Sequence, residues 1–346
     1  MKIRKLLVMA TAVFMMASCG DNGSEKLGKE FKITKEEAAA KLEKAATEMQ
    51  KASGIKLTSS DEVKLKEEMK AEYTMGNETM TSASKVDINV KTDFTLELLT
   101  NMSGFDGLIE GTFNLGVKAE NSYSPEETYT SDTSIDGKVG LYIKDETAYA
   151  SIDAKLAADG EEETVNEKVS APLAALLEEI GGLVGDTGVE MDPEATEMIE
   201  ALVGDIEDAL PDPKAYKNGK DVTIVYSISN DDLNNVINEV LDFAAENAGA
   251  DEESLNQVKE MIKGKITLNK FETKIKIHDE SVISQLSYDI DLKVKDILLD
   301  GEVTSDYAYA SYLSLDLVAN GVTELDVLSS DHSIKFPADL GPNWNN

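Results

Sequence analysis

Few residues in this sequence are of the types that usually carry catalysis at neutral pH. The chain has one cysteine, Cys19, and two histidines, His278 and His332, which lie 54 positions apart. General acid–base catalysis and metal binding usually need such groups in a recognisable pattern. Neither histidine lies in a metal-binding pattern, and no Gly-x-Ser-x-Gly, phosphate-loop or His-Glu-x-x-His motif is present. We therefore expect no enzyme, no catalytic residue and no metal site.

The N-terminus has the order of a secretory signal. Residues 1–5 carry three basic residues and no acid, and residues 6–17 are an almost unbroken apolar run. A run of 12 residues is too short for the roughly 20 that cross a bilayer as a helix. Residues 1–18 therefore indicate a targeting segment rather than a membrane span.

The apolar run closes on Met16-Ala17-Ser18-Cys19-Gly20, which resembles the lipobox of bacterial lipoproteins. The resemblance implies cleavage between Ser18 and Cys19. It also implies a covalent diacylglycerol and acyl (palmitate) modification of Cys19, which anchors the chain to the extracytoplasmic side of the cell membrane. Because Cys19 is the only cysteine, no intramolecular disulfide can form. An ordinary signal peptide with a chance cysteine is the alternative, and the choice between inner membrane, outer membrane and cell surface stays open.

The mature chain is strongly acidic. Removal of residues 1–18 leaves 30 of the 33 basic residues against 67 acidic ones, a net charge of −37. This excess repels nucleic acid and anionic lipid head groups, so we expect neither as a partner. Denser acidic runs at 161–163 and 251–253 are typical of a solvated face. A weak calcium site is the alternative, although no calcium-binding loop motif is present.

The mature chain begins with a tether and a helix. Residues 19–33 hold few apolar side chains, which predicts a lipidated flexible tether that spans about 20 Å. Thr34 and Glu37 then form a capping-box pattern at the start of a helix. Apolar residues follow at helical spacing, at positions 38, 42, 45, 49 and 52, before Gly54 ends the pattern.

Alternation with a period of two begins near Val63 and is cleanest at residues 85–98. Apolar residues there occupy positions 86, 88, 90, 94, 96 and 98, which predicts a long strand. The pattern recurs at 109–119, 139–154, 271–277, 286–295 and 307–317, with Asp300-Gly301 as a hairpin turn. We expect antiparallel strands with one dry and one wet face, and a last edge piece at 334–337.

Residues 161–263 interrupt this pattern. We expect a charged loop at 161–168, amphipathic helices at 173–184 and 193–210, a lone strand at 222–228, and two further helices before Gly264. Helices between two sets of strands are available to cover the dry face of the sheet. The predicted fold class is therefore α+β: a long curved antiparallel sheet with an N-terminal helix and a central helical insert that covers the apolar face.

Several phrases resemble the LolA-like lipoproteins, a superfamily that includes the periplasmic lipoprotein carrier and the actinobacterial lipid-carrying surface lipoproteins. They are Gly137-Lys138-Val139-Gly140-Leu141-Tyr142-Ile143 with Ala148-Tyr149-Ala150, Val222-Thr223-Ile224-Val225-Tyr226 before Asp231-Asp232-Leu233, and Ile334-Lys335-Phe336-Pro337. The resemblance covers residues 34–337 and implies one half-barrel domain whose concave side holds acyl chains. A tail at 338–346 follows. The family has no catalytic residues to transfer.

The sequence leaves two functions open. In the first, the protein binds or carries a lipid or another hydrophobic ligand in an apolar pocket lined by Phe94, Phe113, Leu176, Ile180, Tyr288 and Leu292. In the second, those side chains fill an ordinary core, and the protein is a structural or interaction lipoprotein without a ligand pocket. An exposed apolar patch of more than a few hundred Å² at the sheet rim would favour the second function. In both cases we expect a monomer with no cofactor besides the acyl group on Cys19.

Overall fold

The computed structural model describes residues 27–76, 78–101, 104–124, 127–175, 210–248, 252–304, 307–341 and 344. Strands account for 67% of these residues and helices for 17%. One antiparallel sheet of twelve strands joins all the strands that these residues form. Within the same ranges, no helix combines the length and the apolar composition that a membrane crossing requires.

The elements of the described residues are numbered in chain order. They are β1 (Lys29–Lys32), α1 (Lys35–Met49), β2 (Gly54–Met75), β3 (Glu78–Asn101), β4 (Gly104–Ser124), β5 (Glu127–Lys144), β6 (Thr147–Ala158), β7 (Glu161–Pro172), β8 (Lys214–Asn218), β9 (Asp221–Ser227), α2 (Asn230–Ala248), α3 (Glu252–Ile262), β10 (Ile266–His278), β11 (Val282–Val303) and β12 (Tyr307–Leu328). Six of the strands are long: β2 to β5, β11 and β12 each have 18 to 24 residues. At about 3.3 Å per residue, β3 alone reaches about 80 Å.

The sheet is twelve strands wide at one end and six strands wide at the other. The strand order is β1-β8-β9-β10-β11-β12-β2-β3-β4-β5-β6-β7. We call the end that contains Gly54 and Leu328 the proximal end, and the end that contains Met75 and Tyr307 the distal end. The short strands flank only the proximal half, because the pairing of β10 with β11 stops at Val294 and that of β6 with β5 stops at position 133. The distal half therefore consists of the six long strands.

The two faces of the sheet differ in chemistry because successive residues of a strand point to opposite sides. Val63, Val90, Leu115, Ile135 and Leu156 are successive cross-strand partners, and they define the apolar face. The positions between them carry mostly charged and polar residues and define the charged face. The predicted strand at 85–98 is confirmed as part of β3.

Helix α1 packs on the apolar face near the proximal end and confirms the predicted capping box. The backbone N–H of Glu37 donates to Thr34 Oγ1 over 3.3 Å, and that of Thr34 donates to Glu37 Oε2 over 3.2 Å. Ala38 and Ala45 are fully buried, so the helix lies close to the sheet. The underlying cluster holds Val222, Ile224, Ile275, Ile277, Ile283 and Leu286. Full burial of a side chain of this size contributes about 1.5–3 kcal/mol.

The predicted α+β fold class is wrong. Residues 161–172, 214–218 and 221–227 of the expected helical insert are β7, β8 and β9 of the same continuous sheet. β7 is an edge strand, and most of its side chains are exposed on both faces. Without a buried face, its sequence shows no alternation of apolar and polar residues and therefore resembles a loop. Every described side chain of α2 and α3 is at least partly exposed, so these helices do not form the expected cover. The rest of the expected insert, 176–209, lies outside the described residues.

Three smaller boundaries also differ from the sequence prediction. β11 continues through Asp300-Gly301 to Val303, with irregular pairing on both sides of Leu298, so the chain does not turn there. Residues 29–32 of the expected tether form β1, which pairs with β8. Residues 334–337 form no strand; Ile334 and Phe336 pack instead against a cluster of Leu108, Tyr142 and Trp344.

Candidate functional site

The predicted ligand residues are spread over the apolar face. Phe94 on β3 and Phe113 on β4 are separated from Tyr288 and Leu292 on β11 by the strands β2 and β12. The remaining predicted residues, Leu176 and Ile180, lie outside the described residues, as do Ser18 and Cys19. The described residues therefore provide two pairs of candidates on different parts of one sheet.

Each pair packs against local neighbours. Tyr288 is 8% exposed and lies in a small cluster that includes Ala319 and Val63. The ring of Phe113 covers Gly137, where a β-carbon would come within 2.4 Å of the ring. Phe94 lies opposite Ser59 on β2 and Gly111 on β4, and a β-carbon at position 111 would come within 3.1 Å of the Phe94 β-carbon. Among the described residues, these side chains are not brought together around a closed apolar pocket.

Large apolar side chains are exposed at the distal end of the long strands. We call them the distal rim: Met69, Tyr73, Met75, Met80, Tyr129, Leu299, Val303 and Tyr307. Val303 pairs with Ala308, so its side chain points to the opposite face from Tyr307. Tyr129 is 65% exposed and Val303 83% exposed. Neighbouring strands are about 4.8 Å apart, so the rim extends about 24 Å from β11 to β5. Five of these six strands contribute a residue to the rim.

Two hairpins, β2–β3 and β11–β12, build the centre of the distal rim. Met75 lies directly opposite Tyr307 on β12, and Tyr73 lies opposite Met80 on β3. The ring centroids of Tyr73 and Tyr309 are 4.7 Å apart, with the rings tilted by 36°. Apolar side chains of three adjacent strands are therefore contiguous.

A shallow cavity and a set of acidic side chains accompany the rim. The cavity has about 270 Å³ and is bordered by Met69, Leu299 and Tyr309 together with several serines. The charged residues beyond position 70 of β2 and at the neighbouring strand ends are acidic: Glu72, Glu78, Glu127, Asp300 and Glu302. Lys70 lies next to them and pairs with Glu72 over 2.5 Å. A hydrogen bond to Glu302 raises the pKa of Tyr307, so the phenol stays protonated.

The two histidines lie far apart, and each contacts a carboxylate. His278 Nδ1 lies 2.6 Å from Asp221 Oδ1, and this contact lowers the pKa of Asp221. His332 Nε2 lies 3.2 Å from Glu97 Oε2. In the part of the chain that the structure describes, no three side chains of histidine, cysteine, aspartate or glutamate are grouped to hold a metal ion.

Sequence reasoning missed the distal rim because apolar alternation looks the same on a covered and on an uncovered strand. The lengths of the helix and of the strands nevertheless indicated that part of the sheet is uncovered. α1 has 15 residues and spans about 22 Å, whereas β2 has 22 residues and spans about 73 Å. One helix of this length covers less than a third of such a strand.

The comparisons with known proteins are distant. No protein-family model matches the chain, and no curated protein matches it. The chain is similar to the translocator domain of the autotransporter NalP from Neisseria meningitidis, at 8% identity, over 83% of this chain and 94% of that chain, with a TM-score of 0.15. It is also similar to the toluene transporter TodX of P. putida, at 7% identity, over 85% of this chain and 94% of that chain, with a TM-score of 0.14. Likenesses at this level do not establish a shared fold or a function.

Proposed function

We propose that the protein is a lipoprotein held on the extracytoplasmic side of a membrane by acyl chains on Cys19, and that its sheet is an interaction module. The distal rim docks a partner protein whose contact surface is apolar and basic. The observation that carries this proposal is the exposure of eight large apolar side chains on neighbouring strands of one sheet end.

The apolar character of the rim supports docking. Its members are between 39% and 83% exposed, although they belong to long, regularly paired strands. Scattered exposed apolar residues are ordinary, but contiguous patches of more than a few hundred Å² mark interaction surfaces. Covering them releases about 25 cal/mol for each Å² of apolar surface removed from water.

The charge of the rim supports a basic partner. Glu72, Glu78, Glu127, Asp300 and Glu302 surround the apolar side chains, and the chain as a whole has a formal net charge of −34. A second copy of the chain would bring like charges together. The negative charge of this protein would attract a basic surface from a distance, and no like charges would repel each other in the contact.

The direction of the sheet also supports the proposal. Lys29, the first residue of β1, follows Cys19 by ten positions. The cross-strand register places it close to the level of Lys56 at the proximal end of β2. From there β2 continues to Met75, about 60 Å of strand. The rim is therefore at the end of the sheet remote from the anchor.

The anchor is tested in the host organism by mass spectrometry of the mature N-terminal peptide and by membrane fractionation of a Cys19→Ser variant. We expect an acylated Cys19 in the native protein and release of the variant from the membrane fraction. A mature chain that begins elsewhere, or an unmodified Cys19, would refute the anchor and leave the rim untested by this experiment.

The rim is tested by placing a photo-crosslinking amino acid at position 80 of the full chain in host cells, because Met80 is 62% exposed and lies on the same face as Met75. We expect an adduct with a basic protein. The adduct should weaken at high salt and disappear when Met75→Ser and Tyr129→Ser are added. Val169→Ser is the matched control, because Val169 is 56% exposed on the edge strand β7 outside the rim. An adduct with lipid would favour the carrier function, and an adduct insensitive to the rim substitutions would contradict docking there.

A further inference from the structure

The charged face carries a broad groove in the proximal half of the sheet, away from the distal rim. Its volume is about 730 Å³, and it crosses the strands β2 to β7. One row of its floor consists of successive cross-strand partners: Thr58, Thr95, Glu110, Gly140, Ser151 and Lys168. Five strand spacings give the row a length of about 24 Å. We call this feature the charged-face groove.

A second row runs parallel to the first, one step nearer the distal end. It consists of Ser60, Asp93, Thr112, Lys138, Asp153 and Asn166, which are again successive partners across the same six strands. All six side chains are exposed. Together the two rows offer hydroxyl, carboxylate, amide and ammonium groups, which include both hydrogen-bond donors and acceptors along the whole groove.

The hydrogen-bonding capacity of the second row is largely unused within the described part of the protein. Lys138 and Asp153 are direct cross-strand partners, yet neither makes an ion pair with another described residue. One step further towards the distal end, the same face is satisfied internally, since Glu62 pairs with both Lys64 and Lys91 over 3.0 Å. The difference indicates that the groove side chains are available to a ligand.

The groove floor carries charges of both signs on a strongly acidic protein. The two rows contain three carboxylates, Glu110, Asp93 and Asp153, and two ammonium groups, Lys138 and Lys168. A site for nucleic acid would be basic, and a site for a cation would concentrate carboxylates. Interspersed charges of both signs among hydroxyls instead suit an uncharged ligand that is rich in hydroxyl groups.

Tyr142, on the middle strand β5, holds the proximal edge of the groove in place. Its hydroxyl donates to Glu110 Oε1 over 2.7 Å, and Glu110 is one of the residues that line the groove. Burial and this hydrogen bond raise the pKa of Tyr142, so the phenol remains a donor throughout the physiological range. Glu110 is therefore held in one orientation before any ligand arrives.

Trp344 and Asp339, near the C-terminus, support the same proximal edge. Trp344 is 3% exposed and contacts Tyr142 and Tyr149 edge-on, at centroid distances of 5.6 and 5.7 Å. Lys168 Nζ lies 4.8 Å from the Trp344 ring and binds Asp339 over 2.5 Å. Positioned side chains lose less conformational entropy on binding, which favours recognition of a weakly held ligand.

We propose that the charged-face groove binds an uncharged glycan, laid as an extended chain across β2 to β7. Hydroxyls of successive sugar rings donate to Glu110, Asp93 and Asp153. They accept from Lys138 and from the amide of Asn166. This binding is independent of the distal rim, because the two surfaces share no residue.

The test is isothermal titration calorimetry of the purified mature protein with three neutral hexasaccharides: cellohexaose, chitohexaose and laminarihexaose. We expect saturable binding of at least one of them. Lys138→Ala and Asp153→Ala should each weaken it by at least about tenfold. Lys118→Ala is the matched control, because Lys118 is an exposed lysine of the same face outside the groove. It should leave binding unchanged.

Three outcomes overturn the proposal. They are the lack of saturable binding of all three glycans at millimolar concentration, binding that survives both groove substitutions, and stronger binding of an anionic hexasaccharide than of any neutral one. Both substituted side chains are exposed, so the variants are expected to fold, and circular dichroism checks this.

Discussion

The hydroxyl of Tyr142 lies over Gly140, 2.4 Å from the position that a β-carbon of residue 140 would occupy. The same β-carbon would come within 2.8 Å of Ser151 Oγ. Glycine at this position of β5 therefore makes the room in which Tyr142 reaches across to Glu110. The hydrogen bond between Tyr142 and Glu110 at the proximal edge of the groove therefore depends on the absence of a side chain at position 140.

Gly140→Ala should destabilise the protein by about 1–3 kcal/mol, because the added methyl group overpacks this site and displaces the Tyr142 ring. Urea unfolding measures the change. Gly116→Ala in the neighbouring strand β4 is the control, since a β-carbon there meets nothing within 4 Å. Equal effects of the two substitutions would mean that the contact between Tyr142 and Gly140 has no energetic consequence.

The parts of the fold that the sequence predicts well are those with one dry side. The strand at 85–98 and the helix after Thr34 were recognisable because burial of one face imposes a period of two or of 3.6 residues. β7 escaped recognition because its side chains are mostly exposed on both faces. The turn at Asp145-Glu146 also lacks the usual glycine or asparagine signal, yet both residues adopt positive φ, +50° and +59°, as the tight hairpin between β5 and β6 requires.

The candidate sites were harder to predict than the elements. Phe113 and Tyr73 are both part of an alternating apolar pattern. That pattern does not tell whether another element packs over either side chain. The charged-face groove depends on register: Thr58 and Lys168 are 110 positions apart and share one row through four intermediate strands. No local pattern in the sequence records that alignment.

Ala45→Leu in α1 should cost about 1–3 kcal/mol of stability, because Ala45 is fully buried and a larger side chain pushes the helix from the sheet. Ala39→Leu should have almost no effect, since Ala39 is exposed on the same helix and leucine is a good helix former. Thermal unfolding of the two variants distinguishes overpacking from helix propensity. A loss in both would point to the helix itself rather than to its contact with the sheet.

The combined rim variant Met75→Ser, Met80→Ser and Tyr129→Ser should bind less of a hydrophobic fluorescent dye than the native protein. Each of these side chains is more than 60% exposed, so each substitution should change stability by no more than about 0.5 kcal/mol. Dye fluorescence and urea unfolding on the same samples separate the two effects. Unchanged fluorescence would show that the rim does not act as a continuous apolar surface.

Glu97 connects β3 to both a neighbouring strand and the segment that follows β12. It is 9% exposed, with Lys56 Nζ 2.8 Å from Oε1 and His332 Nε2 3.2 Å from Oε2. Burial alone would raise the pKa of Glu97, but the hydrogen bonds from Lys56 and His332 outweigh it and hold the pKa below the ordinary value of 4.5. Folding therefore favours the ionised carboxylate.

The contribution of Glu97 to stability should be fully present above pH 4.5 and should be lost as the pH falls through the lowered folded-state pKa. The free energy of unfolding, measured in urea at a series of acidic pH values, should fall less steeply below pH 4.5 in Glu97→Gln than in the native protein. Glu127→Gln is the control, because Glu127 is exposed at the start of β5. The two variants share every other titrating carboxylate. If the free energy of unfolding falls with the same slope in both variants, the contacts of Glu97 with Lys56 and His332 do not lower its pKa on folding.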